Sequence, residues 1–347
     1  MNGPTLVMEH ARSPSLWITA WRRLRRDRVG VFSLAIVLMF LGITLFSGIG
    51  LLARDWGDEV GVSYAPPTFA GPERPSVTPQ AMPSIAGPPS AHDDIAIEDP
   101  LRDALAEIQQ QLAGHAGLQA KDATLPFGGD KWGRDVLLKT IKGSETSLLV
   151  GLSAAFLAVF LGTVFGALAG YLGGRIDDLF NWLYSVFTAI PYLLLILAIA
   201  AVLNQKGSST VVLILGLTGW TGIFRLVRAE YLKHKVREYV LAADALGASD
   251  SRRMFVHILP NVSHVVLVQL SLHVVLFIKS EVILSFLGFG VGVDTVSWGS
   301  MLNEAQSELL IGKWWQLASA TAAMALLITG FSLFTDSLRD ALDPRLR

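Results

Sequence analysis

The sequence has 347 residues, of which 52% are hydrophobic and 16% are charged, and its formal net charge is -1. Soluble domains usually carry about 25% charged residues, which argues against a soluble enzyme. The 32 glycines and nine tryptophans point the same way, because both residue types are enriched in membrane helices. The absence of cysteine excludes disulfides, thiolate catalysis and cysteine-ligated metal sites. The composition therefore indicates a membrane protein.

Hydropathy predicts six membrane-spanning helices. The first, Val29–Ala53, carries no charge and is long enough to cross a hydrocarbon core of about 30 Å. A cleaved signal peptide is the alternative, but its apolar part would be only about 7–15 residues long and nearer the start. The other five segments are Ser147–Tyr171, Leu179–Leu203, Ser209–Phe224, Val262–Gly290 and Trp315–Phe334.

The distribution of Lys and Arg predicts that both termini are cytosolic. Basic residues gather before the first span and between the fourth and fifth spans, whereas the short outer loops keep only Lys206 and Lys313. The resulting regions are a basic N-terminal segment (1–28), a first span (29–53), an outer loop (54–146), a five-helix membrane domain (147–336) with a cytosolic loop (230–261), and a cytosolic tail (337–347).

Two of these regions outside the spans have predicted helices. In the N-terminal segment, apolar residues recur at helical spacing beside arginines, which is typical of an amphipathic helix lying on the membrane surface. They are Leu16, Trp17, Ala20, Trp21 and Leu24. The outer loop is proline-rich between Pro66 and Pro100, and a short helix is then expected from the N-cap Asp99 to a stop at Gly114.

The cytosolic loop predicts two short helices. The first ends at Gly247, the second is capped by Ser249, and Pro260 is expected to break the chain before it re-enters the membrane. Such a loop is a compact, rigid protrusion whose partner the residues do not name.

Few residues in the spans carry charge or break the helical pattern. Lys279 and Glu281 are formal charges inside a span, which makes them functional candidates. They point to nearly opposite sides of a helix, so Lys279 either faces the pathway or snorkels to the outer boundary, and Glu281 either lines the pathway or makes an interhelical hydrogen bond. Pro191 is expected to kink the third span, as a gate or simply as a matter of shape.

A GxxxGxxxG ridge marks the second span. Gly162, Gly166 and Gly170 allow close helix approach, either for static packing or as a sliding surface. His264 and His273 are nine positions apart on one helix, which is not a spacing for shared metal ligation. An ion-coupled secondary transporter would need midplane carboxylates and inverted repeats, and an intramembrane hydrolase would need paired catalytic groups; neither pattern is found.

Four separate motifs resemble bacterial ABC-importer permeases. The run Ala242-Ala243 with Gly247 and Ile258-Leu259-Pro260 is similar to the EAA loop that docks on an ATPase subunit, although Leu241 replaces the family Glu. The other motifs resemble the dipeptide/oligopeptide permease group. They are Leu125–Leu137, Leu284–Gly290 followed by Ser297-Trp298-Gly299, and the C-terminal Asp336–Arg345.

This resemblance implies an all-α polytopic protein of the type I ABC-importer fold, with six transmembrane helices, in the bacterial inner membrane. It implies a second related permease, two ATPase subunits and an extracytoplasmic substrate-binding protein as partners, with no nucleic acid. ATP and Mg²⁺ would be bound by the ATPases, so this chain would need no cofactor or metal and catalyse no bond chemistry. The cargo would be di- or oligopeptides, or alternatively nickel or another small solute.

The resemblance also assigns candidate sites. The ATPase-coupling loop would use Ala242, Ala243, Asp244, Gly247, Ile258, Leu259 and Pro260. The candidates for the substrate pathway or gate remain Glu281, Lys279 and Pro191. The candidates for binding-protein contacts, or for a structural network at the outer mouth, are Asp130, Arg134, Asp135 and Trp298.

Overall fold

The computed structural model describes residues 16–71, 121–292 and 294–342, with side chains from residue 21 onward. These residues are mostly helical, and the β-pairing among them consists of isolated bridges. The described residues fall into two compact units: a helical unit within residues 1–57 and 136–347, and a smaller unit within residues 58–135. The predicted helix between Asp99 and Gly114 lies outside the described residues. The expected all-α class is confirmed for the part of the chain that is described.

The helices of the helical unit run in chain order as follows. They are α1 (Leu16–Arg26), α2 (Arg28–Gly48), α3 (Val136–Leu172), α4 (Gly174–Thr188), α5 (Tyr192–Leu203), α6 (Ser208–Thr218), α7 (Thr221–His234), α8 (Glu238–Ala245), α9 (Asp250–Phe286), α10 (Trp298–Leu310) and α11 (Trp315–Leu342). The smaller unit contains a 3₁₀ turn at Thr68–Ala70.

Four of the described helices are long and apolar enough to cross a membrane, namely α2, α3, α9 and α11. The pairs α4–α5 and α6–α7 pass the same test together but are bent by 85° and 40°. The predicted six spans are reached if each bent pair is one span. A membrane-spanning protein with several helices is thus confirmed, with the number of spans between four and six in the described ranges.

Pro191 breaks the third predicted span more sharply than the expected kink. It is the residue before α5, while α4 ends at Thr188, and the two helices meet at 85°. Proline has no amide hydrogen, and its ring disfavours helical geometry in the preceding residue, here Ile190. The helical hydrogen-bond ladder therefore ends before Pro191 and starts again after it.

Several predicted boundaries differ from the structure, among them those of the first, second and last spans. The first membrane helix ends at Gly48, not at Ala53, and the left-handed Gly50 (φ 76°) follows it. The second begins at Val136, upstream of Ser147, because the charges in its first turns are paired: Lys142 Nζ lies 2.7 Å from Glu145 Oε2. The last continues to Leu342, so the segment from residue 337 is helical as far as it is described.

The predicted break at Pro260 is wrong. The helix α9 runs without interruption from Asp250 to Phe286, with Pro260 in its third turn. A π-helical turn over Arg253–Ile258 precedes the proline, and the amide of Leu259 donates to the carbonyl of Met254, five residues back. This wider turn replaces the regular ladder where the proline ring would otherwise clash, so the helix continues.

The helix α3 packs along α7 through the glycine ridge. A Cβ on Gly166 would lie 2.9 Å from the carbonyl oxygen of Phe224 and 2.9 Å from Cβ of Val227. A Cβ on Gly162 would lie 2.7 Å from the carbonyl oxygen of Trp220, and one on Gly170 would lie 2.8 Å from Cβ of Tyr231. The ridge therefore permits close contact between two helix backbones, as both the static-packing and the sliding-surface interpretations require.

The N-terminal helices are joined to the end of α11. Asp27 caps α2 by accepting hydrogen bonds from the amides of Val29 and Gly30, and it also accepts one from the Ser337 hydroxyl at 2.6 Å. Leu24 of α1 is buried against the C-terminal turn of α11. The predicted helix over this segment is confirmed, and its place on the membrane surface stays a prediction.

Candidate functional site

The loop of residues 230–261, which is predicted to be cytosolic, is built on a buried base. Val240 and Ala243 on the inner face of α8 are buried, and Val240 belongs to one core cluster with Tyr231, Met254 and Ile258. Apolar side chains at both ends of the loop thus meet under α8, and their removal from water fixes the position of this helix.

The turn after α8 has the geometry expected from its glycine. Gly247 is left-handed (φ 80°), its amide donates to the carbonyl of Asp244, and the amide of Ala248 donates to that of Ala243. This pair of bonds is the Schellman motif that ends a helix at glycine. The side chain of Ser249 accepts from the amide of Arg252 and caps α9. Both predicted helix ends are confirmed.

An ion-pair cluster joins the two helices of the loop. The guanidinium of Arg253 contacts the carboxylate of Asp244 on α8 and lies 2.6 Å from Asp250 Oδ1. The hydroxyl of Tyr171, at the end of α3, donates to the same Asp250 oxygen at 3.1 Å. Asp244 therefore stabilises the loop by joining its two helices through Arg253. The sequence motif around Asp244 did not predict this role.

The outward side of the loop carries apolar residues. Leu246 is 88% exposed and Leu241 is 55% exposed, although both are large and apolar. The remaining predicted loop residues divide by face: Ala242 and Pro260 are exposed, Ala243 and Ile258 are buried, and Leu259 is intermediate. The outward apolar residues are Val236, Tyr239, Leu241, Leu246, Phe255 and Val256, here called the loop surface.

Glu281 lies in a buried junction of α3, α9 and α10. Its side chain is fully buried and accepts hydrogen bonds from the hydroxyls of Ser147 at 2.8 Å and Ser285 at 2.7 Å. Ser147 Oγ in turn accepts from the amide of Trp298. This geometry agrees with the interhelical alternative and contradicts the interpretation that Glu281 lines a pathway.

Trp298 is not available for a binding protein. Its side chain is fully buried, and its Nε1 donates to the carbonyl oxygen of Thr140 on α3 at 3.1 Å. The predicted surface contact is therefore wrong: the indole has its hydrogen-bond partner inside the helical unit, where a large amphipathic ring is most stable.

Lys279 is exposed on α9, whereas Glu281 points into the junction. Nearer the start of α9, a cavity of about 260 Å³ opens between α7, α9 and α11. Its lining includes Leu226, His264, Val268, Leu272 and Arg339.

Pro191 is exposed at the break between α4 and α5. It does not line this cavity or the adjoining one between α4, α7 and α9.

Asp130 organises a turn in the smaller unit. Its carboxylate is fully buried and accepts from the amides of Trp132 at 2.9 Å and Arg134 at 3.0 Å. The guanidinium of Arg134 and the ammonium of Lys131 both lie on the ring of Trp132. Asp135 pairs with Gly129 in an isolated bridge. The structural-network alternative therefore applies to Asp130, and the exposed side chains of the turn are those of Lys131 and Trp132.

Sequence reasoning missed two polar links between helices, one buried and one partly buried. Lys139 is almost fully buried and its Nζ lies 2.6 Å from Glu304 Oε2 and 3.3 Å from Gln316 Oε1, which ties α3 to α10 and α11. Arg228 of α7 makes a bidentate pair with Asp177 of α4 at 2.5 and 2.6 Å. These partners are far apart in sequence; the available signal was a charged residue within a turn or two of an apolar run, where an unpaired charge is costly.

Two protein-family models match this sequence. The model described as "binding-protein-dependent transport system inner membrane component" matches residues 162–347, which is more than half of the chain. The chain belongs to this family of transport permeases. A second model, for the N-terminal transmembrane domain of oligopeptide transport permease C, matches residues 15–67.

Individual relatives of the permease agree with the family match. The dipeptide transport system permease protein DppC of Bacillus subtilis (strain 168) is 40% identical over 221 residues, 64% of this permease and 69% of the relative. The oligopeptide transport system permease protein OppC of the same organism is 38% identical, over 64% and 72%. DppC of Lactococcus lactis subsp. cremoris (strain MG1363) is 29% identical, over 95% and 91%.

These matches confirm the resemblance to dipeptide/oligopeptide permeases that the motifs predicted. The loop of residues 230–261 lies inside the larger match, as do Glu281, Ser285 and Trp298, whereas Ser147 and the Asp130 turn lie between the two matched segments. A permease of this family is a transport component and not an enzyme.

Proposed function

We propose that this permease is a membrane subunit of an ATP-driven ABC importer for di- or oligopeptides. It forms the translocation pathway with a second, related permease, receives cargo from an extracytoplasmic substrate-binding protein, and rests on two ATPase subunits that bind ATP and Mg²⁺. Both termini and the loop of residues 230–261 face the cytosol of a bacterial inner membrane. The loop is the element that couples ATP hydrolysis to transport.

The observation that carries this proposal is the two-sided character of α8. Its inner face is buried through Val240 and Ala243, while its outer side exposes Leu241 and, at its end, Leu246. Several large apolar side chains exposed on one short loop are unfavourable in water and are typical of a surface that a partner covers. Leu241 stands where the family carries Glu, so docking at this position uses apolar burial and not an ion pair.

The loop is also rigid enough to transmit a movement. Arg253 pairs with Asp244 and Asp250 across the two loop helices, and the base of the loop packs on Tyr231 of α7. The helix α7 in turn packs closely on the α3 glycine ridge, for example at Gly170. A displacement of the loop surface by the ATPases is therefore passed to α3 and α7 without being absorbed in a flexible hinge.

The proposal that the cargo is a peptide is supported by the relatives, whose names describe dipeptide and oligopeptide transport. Nickel or another small solute is the alternative for the same architecture. It is tested by uptake of labelled nickel beside uptake of defined peptides in cells whose only importer of this class contains this permease. Peptide uptake without nickel uptake supports the proposal, and the reverse result favours the alternative.

The coupling proposal is tested by placing a charge on the loop surface. Leu246→Asp should weaken recovery of the ATPase subunits with the purified permease about tenfold or more, because a leucine side chain leaves the contact and a carboxylate would have to be desolvated. Leu310→Asp is the matched control: Leu310 is 89% exposed and Leu246 88%, and Leu310 ends α10, far from the loop in sequence.

The outcomes are distinct. If Leu246→Asp loses ATPase subunits and transport while Leu310→Asp keeps both, the loop is the docking element. If both variants keep them, or if no ATPase is recovered with the unchanged permease, the coupling proposal is wrong. Gly247→Leu provides a second variant: it strains the left-handed turn and should reduce transport even if docking persists.

A further inference from the structure

Lys279 is an exposed cation on a membrane-spanning helix. It lies seven residues before the end of α9 at Phe286, roughly 10 Å along the helix at about 1.5 Å per residue. The ion pairs found among the described residues of the helical unit do not include it. A lysine in such a position is costly in lipid, and residues of this kind usually face water or an anionic partner.

The face of α9 that carries Lys279 also lines the cavity. Val268 and Leu272 are in the cavity wall, and Lys279 follows Leu272 by seven residues, which is two helical turns. Residues at this spacing share one side of a helix. Leu272 and the intervening Leu276 are 44% and 42% exposed, so one open face runs from the cavity to Lys279.

The charged residues that line this cavity and its neighbour are basic. The cavity wall contains Arg339 of α11, and an adjoining cavity that shares Leu226 and Gln269 with it contains Arg225 of α7. The residues that line these two cavities include no Asp or Glu. A face with this sign attracts an anionic group and repels a cationic one.

We propose that this face of α9 is the wall that the chain contributes to the translocation pathway, and that Lys279 binds the α-carboxylate of the transported peptide. The ammonium donates charge-assisted hydrogen bonds to the carboxylate oxygens, and Arg339 of α11 adds a second cation in the cavity wall. Glu281 takes no part, because it is enclosed with Ser147 and Ser285. This inference rests on the proposed function and adds the chemical group that is recognised.

Cysteine chemistry tests whether Lys279 faces water. The sequence has no cysteine, so Lys279→Cys introduces a single thiol into the permease, assembled with partner subunits that lack reactive cysteines. Thiols react as thiolates, which form in water and not in lipid. Lys279→Cys should react with water-soluble methanethiosulfonates at least about tenfold faster than Ser280→Cys, because the Ser280 side chain is buried.

Transport tests the charge. Lys279→Gln should lower uptake of a dipeptide about tenfold through loss of one charged hydrogen bond, while Lys279→Arg should retain most uptake. In the same folded Lys279→Cys protein, an aminoethyl methanethiosulfonate restores a cation and should restore uptake. A sulfonatoethyl reagent of similar size adds an anion and should abolish it.

Each of these results either supports or overturns the inference about Lys279. If Lys279→Cys is as unreactive as Ser280→Cys, or if Lys279→Gln imports dipeptide like the unchanged permease, the inference is overturned. Equal effects of the two reagents also overturn it. If the unchanged complex imports no peptide, the proposed function fails together with the carboxylate role, whereas the reactivity of Lys279→Cys still shows whether α9 presents this face to water.

Discussion

The hydroxyl of Tyr231 donates a hydrogen bond to the backbone carbonyl oxygen of Met254, with 3.1 Å between the two oxygens. The same carbonyl accepts the amide of Leu259 across the π-helical turn. Tyr231 is fully buried, so one side chain of α7 supports both the widened turn of α9 and the apolar base of α8. This bond connects the loop surface to the membrane helices.

We expect Tyr231→Phe to lower the free energy of unfolding by about 1 kcal/mol, because one buried hydrogen bond is lost while Leu259 still satisfies the carbonyl. Tyr231→Ala should cost about 3–5 kcal/mol, since a large cavity opens beneath α8. Thermal unfolding of the detergent-purified protein measures both. Equal stability of Tyr231→Phe and the unchanged protein would mean that the phenol contributes only packing.

The glycine ridge gives a second prediction. Gly166→Ala should destabilise the protein by about 1–3 kcal/mol, because its Cβ would lie 2.9 Å from a backbone oxygen of α7 and the helices would have to move apart. Gly42→Ala on α2 is the control, since no atom lies within 4 Å of a Cβ built there. That variant should be neutral or stabilising through helix propensity. Similar melting temperatures for the two variants would contradict the close packing of α3 on α7.

The Glu281 junction predicts energetic coupling between two helices. Glu281→Ala and Ser147→Ala should each destabilise the protein, and the double variant should lose less than the sum of the two, with a coupling energy of about 0.5–3 kcal/mol. The reason is that each single change already removes their shared hydrogen bond. Stability measurements on the four proteins of this double-mutant cycle provide the test, and strict additivity would show that the bond contributes nothing.

Asp27 predicts a pH dependence. The hydrogen bond from the Ser337 hydroxyl lowers the pKa of the Asp27 carboxyl, partial desolvation opposes this, and the amides of Val29 and Gly30 lower the pKa further. Because the folded-state pKa is lowered, the carboxylate stabilises the fold above the unfolded pKa of about 3.9, and this contribution is lost as the pH falls through the folded pKa.

Asp27→Asn should therefore melt at a lower temperature than the unchanged protein near neutral pH, and the difference should shrink as the pH falls below about 4. Ser337→Ala should have a similar effect, and the double variant should add little to either single one. Melting curves at several pH values measure this. If the difference in melting temperature between Asp27→Asn and the unchanged protein stays constant with pH, the charge of the Asp27 carboxylate does not contribute to stability.

Local sequence chemistry determined much of the loop. Gly247 ends a helix because it adopts a left-handed conformation without steric cost, and Ser249 caps the next helix because its hydroxyl reaches a free amide. Both effects operate within a few residues, so they are readable from the chain. The continuation of α9 through Pro260 was not readable, because it depends on a π turn that Tyr231 supports from another helix.

The sequence by itself determined the membrane class, the apolar segments, the family and the helix ends set by Gly247 and Ser249, since composition and short-range backbone preferences suffice for these. Only the tertiary structure decided that Glu281 and Trp298 are enclosed while Lys279 is open. Burial depends on which helices pack together, and a pattern along one helix cannot specify the neighbour that covers each face.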